Sequence, residues 1–196
     1  MTEIKPVPAA TVVLVRAAQE EANLEVLLLQ RNSKLVFHGG HWVFPGGRLD
    51  ESDYDRQLKD TLEYPAALNA AVRETREEAG VEIDQSQLIH TAHWTTPPNL
   101  PRRFSTWFFI CPLFDPVSVS IDNAEILDHR WVSPRVALED SKAKKWILPR
   151  PTMTTLSDIV DYNDLSSLIS DVKSRGIRVF PKDSEYYRPI EMGYAE

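Results

Sequence analysis

Short runs of β-branched and aliphatic residues alternate with polar stretches along the chain. Such runs at residues 11–15 and 25–30 predict two buried strands joined by a polar loop. Three further runs, at 88–95, 106–113 and 129–132, predict additional strands. The chain therefore contains enough predicted strand to build a sheet.

One long helix is predicted between the second and third of these strands. Residues 66–79 are strong helix formers without an internal glycine or proline, Pro65 suits the first turn, and Gly80 suits a left-handed C-cap. The preceding segment, 49–62, is charged and lacks apolar rhythm. It is predicted to be an exposed excursion with a short helical turn.

Helices also follow the last predicted strand. The serine and proline at 133–134 can cap and start a short helix that extends to about residue 139. Residues 152–175 predict one or two further helices interrupted near Asn163, and the tail after Gly176 is predicted to be irregular. Alternating strands and helices favour a mixed α/β fold.

The length of 196 residues, without a repeat or an obvious linker, favours a single domain. We expect residues 1–196 to form this domain, with a core at about 9–160 and a C-terminal extension at about 161–196. A net charge of −7 argues against a broad nucleic-acid-binding surface. Recognition of phosphate would therefore have to be local.

Cysteine content and hydropathy bear on the compartment. Cys111 is the single cysteine, which excludes an internal disulfide and a cysteine-based metal site and favours a reducing compartment. No apolar run approaches the roughly 20 residues that span a bilayer, and residues 1–8 lack the apolar core of a signal peptide. The sequence predicts a cytoplasmic protein that does not interact with a membrane.

The long predicted helix carries three carboxylates on one face. Glu74, Glu77 and Glu78 stand at positions i, i+3 and i+4, beside a stripe of alanines at 67, 70 and 71 that would leave room for ions and a substrate. These acids could instead be solvated and paired with neighbouring arginines, as an isolated acidic pair on a helix usually is. Three like charges on one face repel, however, and Mg²⁺ neutralises such charges while leaving coordination sites for phosphate.

The motif around these acids resembles the signature of the Nudix hydrolases. The run 44–47 (Phe-Pro-Gly-Gly) and the run 73–81 (Arg-Glu-Thr-Arg-Glu-Glu-Ala-Gly-Val) supply most of the signature, and the resemblance extends over roughly residues 9–160. It implies an α/β Nudix fold, in which a mixed β-sheet is sandwiched between α-helices. It also implies metal-dependent hydrolysis of a diphosphate linkage in a nucleotide derivative.

The signature is interrupted in this chain. The family usually has an interval of about fourteen residues between its glycine and its arginine, whereas the interval from Gly47 to Arg73 is longer by about a dozen. Pro65 stands eight positions before Arg73, where the first glutamate of the signature is expected, and Glu63 lies nearby. Thr75 replaces the usual aliphatic residue.

The interrupted signature, together with the runs 27–31, 44–50 and 101–104, is similar to the acyl-coenzyme A diphosphatase branch of the family. Val36 and Asn32 depart from a coenzyme A motif of related enzymes, which is matched at Leu27, Leu28, Arg31, Gly40 and 44–47. The resemblance implies cleavage of coenzyme A or acyl-coenzyme A into adenosine 3′,5′-bisphosphate and (acyl-)phosphopantetheine. Another nucleoside diphosphate derivative (a nucleotide sugar, dinucleotide or nucleoside triphosphate) and a non-catalytic nucleotide-binding module are the alternatives.

The resemblance also implies roles around the metal. Glu74, Glu77 and Glu78 would coordinate Mg²⁺ or Mn²⁺, unless one of them acts as the general base on the attacking water. Arg73 would orient these carboxylates. The Gly46 carbonyl would be an additional metal ligand.

Residues outside the helix would complete the site. Glu125 resembles a later Nudix glutamate that serves as ligand or base, and an exposed loop acid is the equal alternative. Arg31, Arg102 and Arg103 could bind phosphates in two-point geometry, or could serve a surface role. Phe44, beside the glycine turn, could hold an adenine, although aromatic residues more often lie in the core.

The implied partner is a small-molecule nucleotide substrate, with no nucleic acid and no membrane, and a homodimer is left open. The four histidines from His38 to His93 lack the paired spacing of a helical metal site. We therefore expect these histidines in loops or in the core.

Overall fold

The architecture is built on a mixed β-sheet with helices on both of its faces. A computed structural model describes residues 4–18, 23–35, 39–55 and 62–194. In this part of the chain the strands are β1 (Val7–Ala17), β2 (Leu24–Arg31), β3 (Trp42–Val43), β4 (Gly46–Arg48), β5 (Ile89–Thr95), β6 (Phe104–Leu113), β7 (Ile126–Val132) and β8 (Arg178–Phe180). The α-helices are α1 (Glu63–Ala79), α2 (Pro134–Lys142), α3 (Arg150–Ile159) and α4 (Leu165–Ser174).

The strands pair in the order β3-β2-β1-β6-β5-β8, with β4 paired to β1 and β7 paired to β2. β1 and β6 are parallel, from Val7 opposite Phe104 to Arg16 opposite Leu113. β2 and β4 both run antiparallel to β1. This pairing places the glycine-rich β4 against the central strand.

Alternate residues of β1 face opposite sides of the sheet, as the two-residue period of a strand requires. Val13 and Val15 belong to a core cluster that also contains Leu156 of α3. Val12 and Leu14 belong to a second core cluster, which contains the alanines of α1. Helices therefore cover both faces, which confirms the predicted sheet sandwiched between helices.

Helix α1 begins and ends close to its predicted bounds. It ends at Gly80, whose φ of 65° is left-handed and whose N–H donates to the Arg76 carbonyl. The alanines predicted to leave room for ions and substrate are instead fully buried, namely Ala67, Ala70 and Ala71. That expectation is wrong because small side chains allow the helix to pack closely on the sheet, so that no space is left beside them.

The segment before α1 differs in part from its prediction. A 3-10 turn spans Glu51–Asp53, which agrees with the short helical turn that was expected. Asp53 is only 3% exposed, however, so that the segment is not wholly an exposed excursion. Residues 56–61 lie outside the described part of the chain, as do Val36 and His38.

The other predicted elements are observed with small shifts at their ends. The strands predicted at 88–95, 106–113 and 129–132 correspond to β5, β6 and β7, and the interruption near Asn163 separates α3 from α4. None of the four described helices combines the length and apolar character needed to cross a bilayer.

The C-terminal tail contains a strand that its sequence did not predict. β8 pairs in parallel with β5, and the Phe180 ring stacks on the Trp94 ring with their centroids 3.9 Å apart. The expectation of an irregular tail fails here because an edge of the sheet offers unpaired backbone groups, which three residues are enough to use.

Two histidines of β5 are buried beneath the same tail. The ring of His90 contacts that of Tyr194, and the ring of His93 contacts that of Tyr187, at 4.9 Å and 4.7 Å between centroids. Removal from water lowers the pKa of His90 to about 4 and the pKa of His93 to about 3. Both histidines are therefore core residues.

We expect acid to destabilise the fold through these two histidines. Their pKa values are lower in the folded protein than the ordinary value of 6.5, so the unfolded chain binds more protons and stability falls as the pH drops from about 6.5 towards about 4. Each histidine contributes about 1.4 kcal/mol per pH unit inside this window. Urea unfolding at several pH values should show a shallower pH slope for His90→Phe than for the wild type.

His129 is half-buried in β7, and His129→Phe controls for the general effect of replacing a histidine by phenylalanine. Its effect on the pH slope should be smaller than that of His90→Phe. Equal slopes for His90→Phe and the wild type would contradict the role given to His90.

Candidate active site

The acids of α1 meet the glycine turn at β4. The Glu78 carboxylate is almost fully buried and accepts a hydrogen bond of 2.9 Å from the Gly46 N–H. A Cβ at position 47 would lie 2.2 Å from Oε1 of Glu74, so that any larger residue there would displace the Glu74 carboxylate. The packing of α1 on β4 thus places both carboxylates against the backbone.

Arg73 ties two of the helix acids to the segment before the helix. Its Nε donates to Asp53 Oδ1 at 3.0 Å, and one terminal nitrogen donates to Asp53 Oδ2 at 2.8 Å. The other terminal nitrogen donates to Glu74 at 2.8 Å and to Glu77 at 3.1 Å. Hydrogen bonding to Asp53, and then to Glu74, raises the pKa of Arg73 and keeps it charged.

Asp53 is absent from the residues that the sequence predicted as functional. Counting backwards from Arg73 to the first acid of the signature leads to Pro65. Counting forwards from Gly47 leads instead to position 53, and this spacing is the signal that could have found Asp53. With Asp53 as this acid, the inserted residues would follow it.

Glu125 reaches the same site from the loop before β7. Its carboxylate forms an ion pair with Arg31, and another terminal nitrogen of Arg31 lies 3.6 Å from Glu78. The Asp122 side chain accepts hydrogen bonds from the backbone N–H groups of residues 124–126, which fixes the turn that carries Glu125. Arg31 and Glu125 thus share the site with the acids of α1.

Glu74, Glu78 and Glu125, which we call the acid cluster, are close enough to influence one another electrostatically. The pKa of Glu78 is raised to about 8, mainly by desolvation and also by the carboxylates of Glu74 and Glu125. The pKa of Glu74 is raised by desolvation first, and also by Glu77 and Glu125. The neighbouring arginines and the Gly46 N–H therefore compensate the negative charge only in part.

A divalent cation suits the chemistry of the acid cluster. Carboxylate oxygens are the ligands that Mg²⁺ and Mn²⁺ prefer, and the uncompensated charge of Glu78 favours a cation beside it. Within residues 4–18, 23–35, 39–55 and 62–194, however, no three His, Cys, Asp or Glu side chains converge as a ready-made metal site. Arginines pair with these carboxylates instead.

Two residues predicted to bind substrate lie in the interior. Phe44 is buried in a core cluster that also contains Trp42. The Arg103 guanidinium is buried too, and donates to the backbone carbonyls of Thr96 and Ile4. In this structure Phe44 thus fills the core and Arg103 satisfies backbone carbonyls, and their roles in substrate binding stay predictions.

The other predicted residues have different surroundings. Arg102 is exposed and stays a predicted phosphate ligand, and the Gly46 carbonyl stays a predicted metal ligand. Glu63, the acid near the expected position of the signature glutamate, accepts a hydrogen bond of 2.8 Å from the Trp107 indole. Glu63 is thus engaged by Trp107, whereas Asp53 is the acid that is hydrogen-bonded to Arg73.

Comparison with known proteins relates this chain to one family. The family model of the NUDIX domain matches residues 5–154. The chain is 28% identical over 186 residues to nudix hydrolase 7 of Caenorhabditis elegans, covering 76% of this chain and 60% of that protein. It is 24% identical over 246 residues to acyl-coenzyme A diphosphatase NUDT19 of Xenopus laevis, covering 80% of this chain and 65% of that protein. The chain thus spans less than two thirds of the length of these curated relatives.

A shorter match and two solved structures extend the comparison. Human acyl-coenzyme A diphosphatase NUDT19 is 36% identical over 77 residues, which are 38% of this chain and 20% of that protein. A NUDIX hydrolase from Alicyclobacillus acidocaldarius has a TM-score of 0.72 at 24% identity, covering 85% of this chain and 96% of that one. The NUDIX domain of Shewanella oneidensis NrtR, solved with ADP ribose, has a TM-score of 0.56 at 16% identity, covering 79% and 86%.

At these identities the solved structures bear on the fold alone, and they share it with this chain. The family model covers most of the chain, from β1 into α3. It includes the glycine turn, the acids of α1 and Glu125. The chain belongs to the Nudix family.

Proposed function

We propose that this chain is a metal-dependent diphosphatase that hydrolyses a nucleoside diphosphate linkage. The acid cluster is the observation that carries the proposal, because its three carboxylates influence one another electrostatically beside a glycine turn and their charge is only partly compensated. A divalent cation bound there would neutralise phosphate oxygens and lower the pKa of a bound water. Hydrolysis of an acid anhydride is the chemistry that these two effects support.

The side chains of the site would have separate roles in metal binding and proton transfer. Glu74, Glu77 and Glu78 would hold Mg²⁺ or Mn²⁺, with the Gly46 carbonyl as a further ligand. Glu125, whose side chain is 45% exposed, would take the proton from the attacking water. The water oxygen would bond to one phosphorus while the bond from that phosphorus to the bridging oxygen breaks, which gives two phosphomonoesters.

Asp53 would act as a positioning residue in this site. It contacts Arg73, and Arg73 in turn contacts Glu74 and Glu77. Its effect on catalysis would therefore pass through the orientation of these carboxylates. An acid at this position also favours an active enzyme over a non-catalytic module, because Arg73 of the interrupted signature keeps an acidic partner in Asp53.

We propose coenzyme A or acyl-coenzyme A as the substrate. Support comes from the partial coenzyme A motif and from the relatives named acyl-coenzyme A diphosphatase. Leu27 and Leu28 of the motif are fully buried in the sheet, and Phe44 is in the core, whereas the Arg31 side chain reaches the acid cluster. Most of the motif thus builds the frame of the site, and exposed residues such as Arg102 would select the substrate.

Mg²⁺-dependent hydrolysis of coenzyme A, acetyl-coenzyme A, NADH, ADP-ribose and nucleoside triphosphates tests this proposal. We expect adenosine 3′,5′-bisphosphate from the coenzyme A substrates, identified by mass, with solvent ¹⁸O in one of the two products. Preferred turnover of another compound would discard coenzyme A and keep the diphosphatase. Nucleotide binding without turnover would replace the enzyme with a non-catalytic module.

Glu78→Gln should lower kcat by at least about a hundredfold, because a neutral amide is a poor ligand for a hard divalent cation. Glu82→Gln, at an exposed position just after α1, is the matched control and should retain wild-type activity. Steady-state kinetics of both variants, with circular dichroism to verify folding, provide the measurement. A folded Glu78→Gln protein with wild-type kcat would refute the role of Glu78.

Asp53→Ala should lower the free energy of unfolding by about 3 kcal/mol, because it leaves the charge of Arg73 without its main partner in a buried setting. Asp50→Ala is the matched control, since Asp50 is exposed and lies 3.9 Å from the same guanidinium. Its effect should stay within about 0.5 kcal/mol. Urea unfolding of the two variants checks this, and equal losses would argue against a special role for Asp53.

A further inference from the structure

Arg31 joins two acids of the site in this structure. It lies at the end of β2, where the pairing with β7 shifts in register. One terminal nitrogen pairs with Glu125, and the other lies 3.6 Å from Glu78. The guanidinium thereby bridges a carboxylate of α1 and a carboxylate of the loop before β7.

The hydrogen bonding of this guanidinium is incomplete. The Arg31 side chain is 17% exposed, and its Nε is buried without a hydrogen-bond partner in the described part of the chain. Arg73, by contrast, uses its Nε and both terminal nitrogens. An unsatisfied buried donor costs free energy. The attraction between the guanidinium and the two acids has to offset this cost, so Arg31 is held mainly by their charge.

We infer that Arg31 is a resident counterion of Glu78 and Glu125 that competes with the divalent cation for Glu78. The inference rests on the proposed metal site, and it accounts for the lack of a ready-made metal site among the described carboxylates. A cation bound to Glu78 removes part of the negative charge that holds the guanidinium. Arg31 is then released, and its planar fork matches the oxygens of a phosphate.

This exchange gives an order of binding. Before the cation binds, a phosphate would meet a negative cluster, and the guanidinium is engaged by Glu78 and Glu125. After the cation binds, both the cation and Arg31 present positive charge to the phosphate. Nucleotide binding therefore follows cation binding, and Arg31 changes from a positioning residue to a substrate-binding residue.

Mn²⁺ titration of the whole chain without nucleotide, followed by the EPR signal of free Mn²⁺, tests the exchange. Mildly alkaline pH limits proton competition for the carboxylates. Arg31→Gln should lower the Kd for Mn²⁺ roughly fivefold to tenfold, because the cation no longer has to displace a charged competitor; this corresponds to about 1 to 1.4 kcal/mol. Arg31→Lys, which retains the charge, should stay within about twofold of the wild type.

Arg16→Gln is the matched control. Arg16 is 18% exposed and forms an ion pair with Glu25 between β1 and β2, so that it resembles Arg31 in burial and pairing but lies outside the acid cluster. Its Kd for Mn²⁺ should equal that of the wild type. Equal tightening in Arg31→Lys and Arg31→Gln would show that charge is not the competitor and would overturn the inference.

Two other results separate this inference from the proposed function. If the wild type binds Mn²⁺ and Arg31→Gln binds it equally or more weakly, the exchange is refuted while the metal site stands. If neither the wild type nor any variant binds Mn²⁺, the metal site itself is refuted, and the exchange with it.

A second measurement needs no substitution at Arg31. Mg²⁺ titration of the ¹⁵N-labelled wild type, followed at the Nε–H resonance of Arg31, should show a shift that saturates with the cation. The Nε of Arg16, which donates to Glu25 at 3.0 Å, serves as the internal reference and should not shift. An Arg31 resonance that stays constant while the cation saturates the protein would overturn the inference.

Discussion

Two carboxylates of α1 lie against the glycine turn of β4, and the geometry of the whole site depends on this contact. Glu78 accepts the Gly46 N–H, and Glu74 occupies the space that a side chain at position 47 would need. Fully buried alanines on the same helix allow this approach. Burying carboxylates is unfavourable unless they are paired, so the contact creates a requirement for positive charge. Arg31 and Arg73 meet that requirement in part, and a divalent cation would complete it.

Contacts at both ends of the inserted segment explain how the signature tolerates an insertion. Loop closure costs free energy that grows slowly with loop length, so extra residues are accepted if both ends of the loop are fixed. The first end is fixed where Asp53 pairs with Arg73. The second is fixed at the start of α1, where Glu63 accepts the Trp107 indole N–H and the Tyr64 N–H donates to a carbonyl of the C-terminal tail. The interruption therefore leaves the acids in register.

The parts of the molecule with strong local signals were predictable from sequence. The end of α1 at Gly80 and the shared face of its glutamates follow from local periodicity and capping. The role of Asp53 could also be predicted from the sequence, but only by counting forwards from Gly47. The burial of Arg103 could not be predicted, because it depends on carbonyls from distant segments. Strand β8 could not be predicted either, because three residues are too few to show a sequence pattern. Local sequence thus indicated the acids, whereas tertiary contacts decide which arginines and aromatics surround them.

The central claim is that the glutamates of α1 hold the metal, and anomalous diffraction from crystals containing Mn²⁺ tests it most directly. The account predicts an anomalous peak beside the carboxylates of Glu74 and Glu78, with the guanidinium of Arg31 no longer bridging Glu78 and Glu125. Mn²⁺ bound elsewhere on the protein, with Arg31 still bridging the two acids, would contradict it.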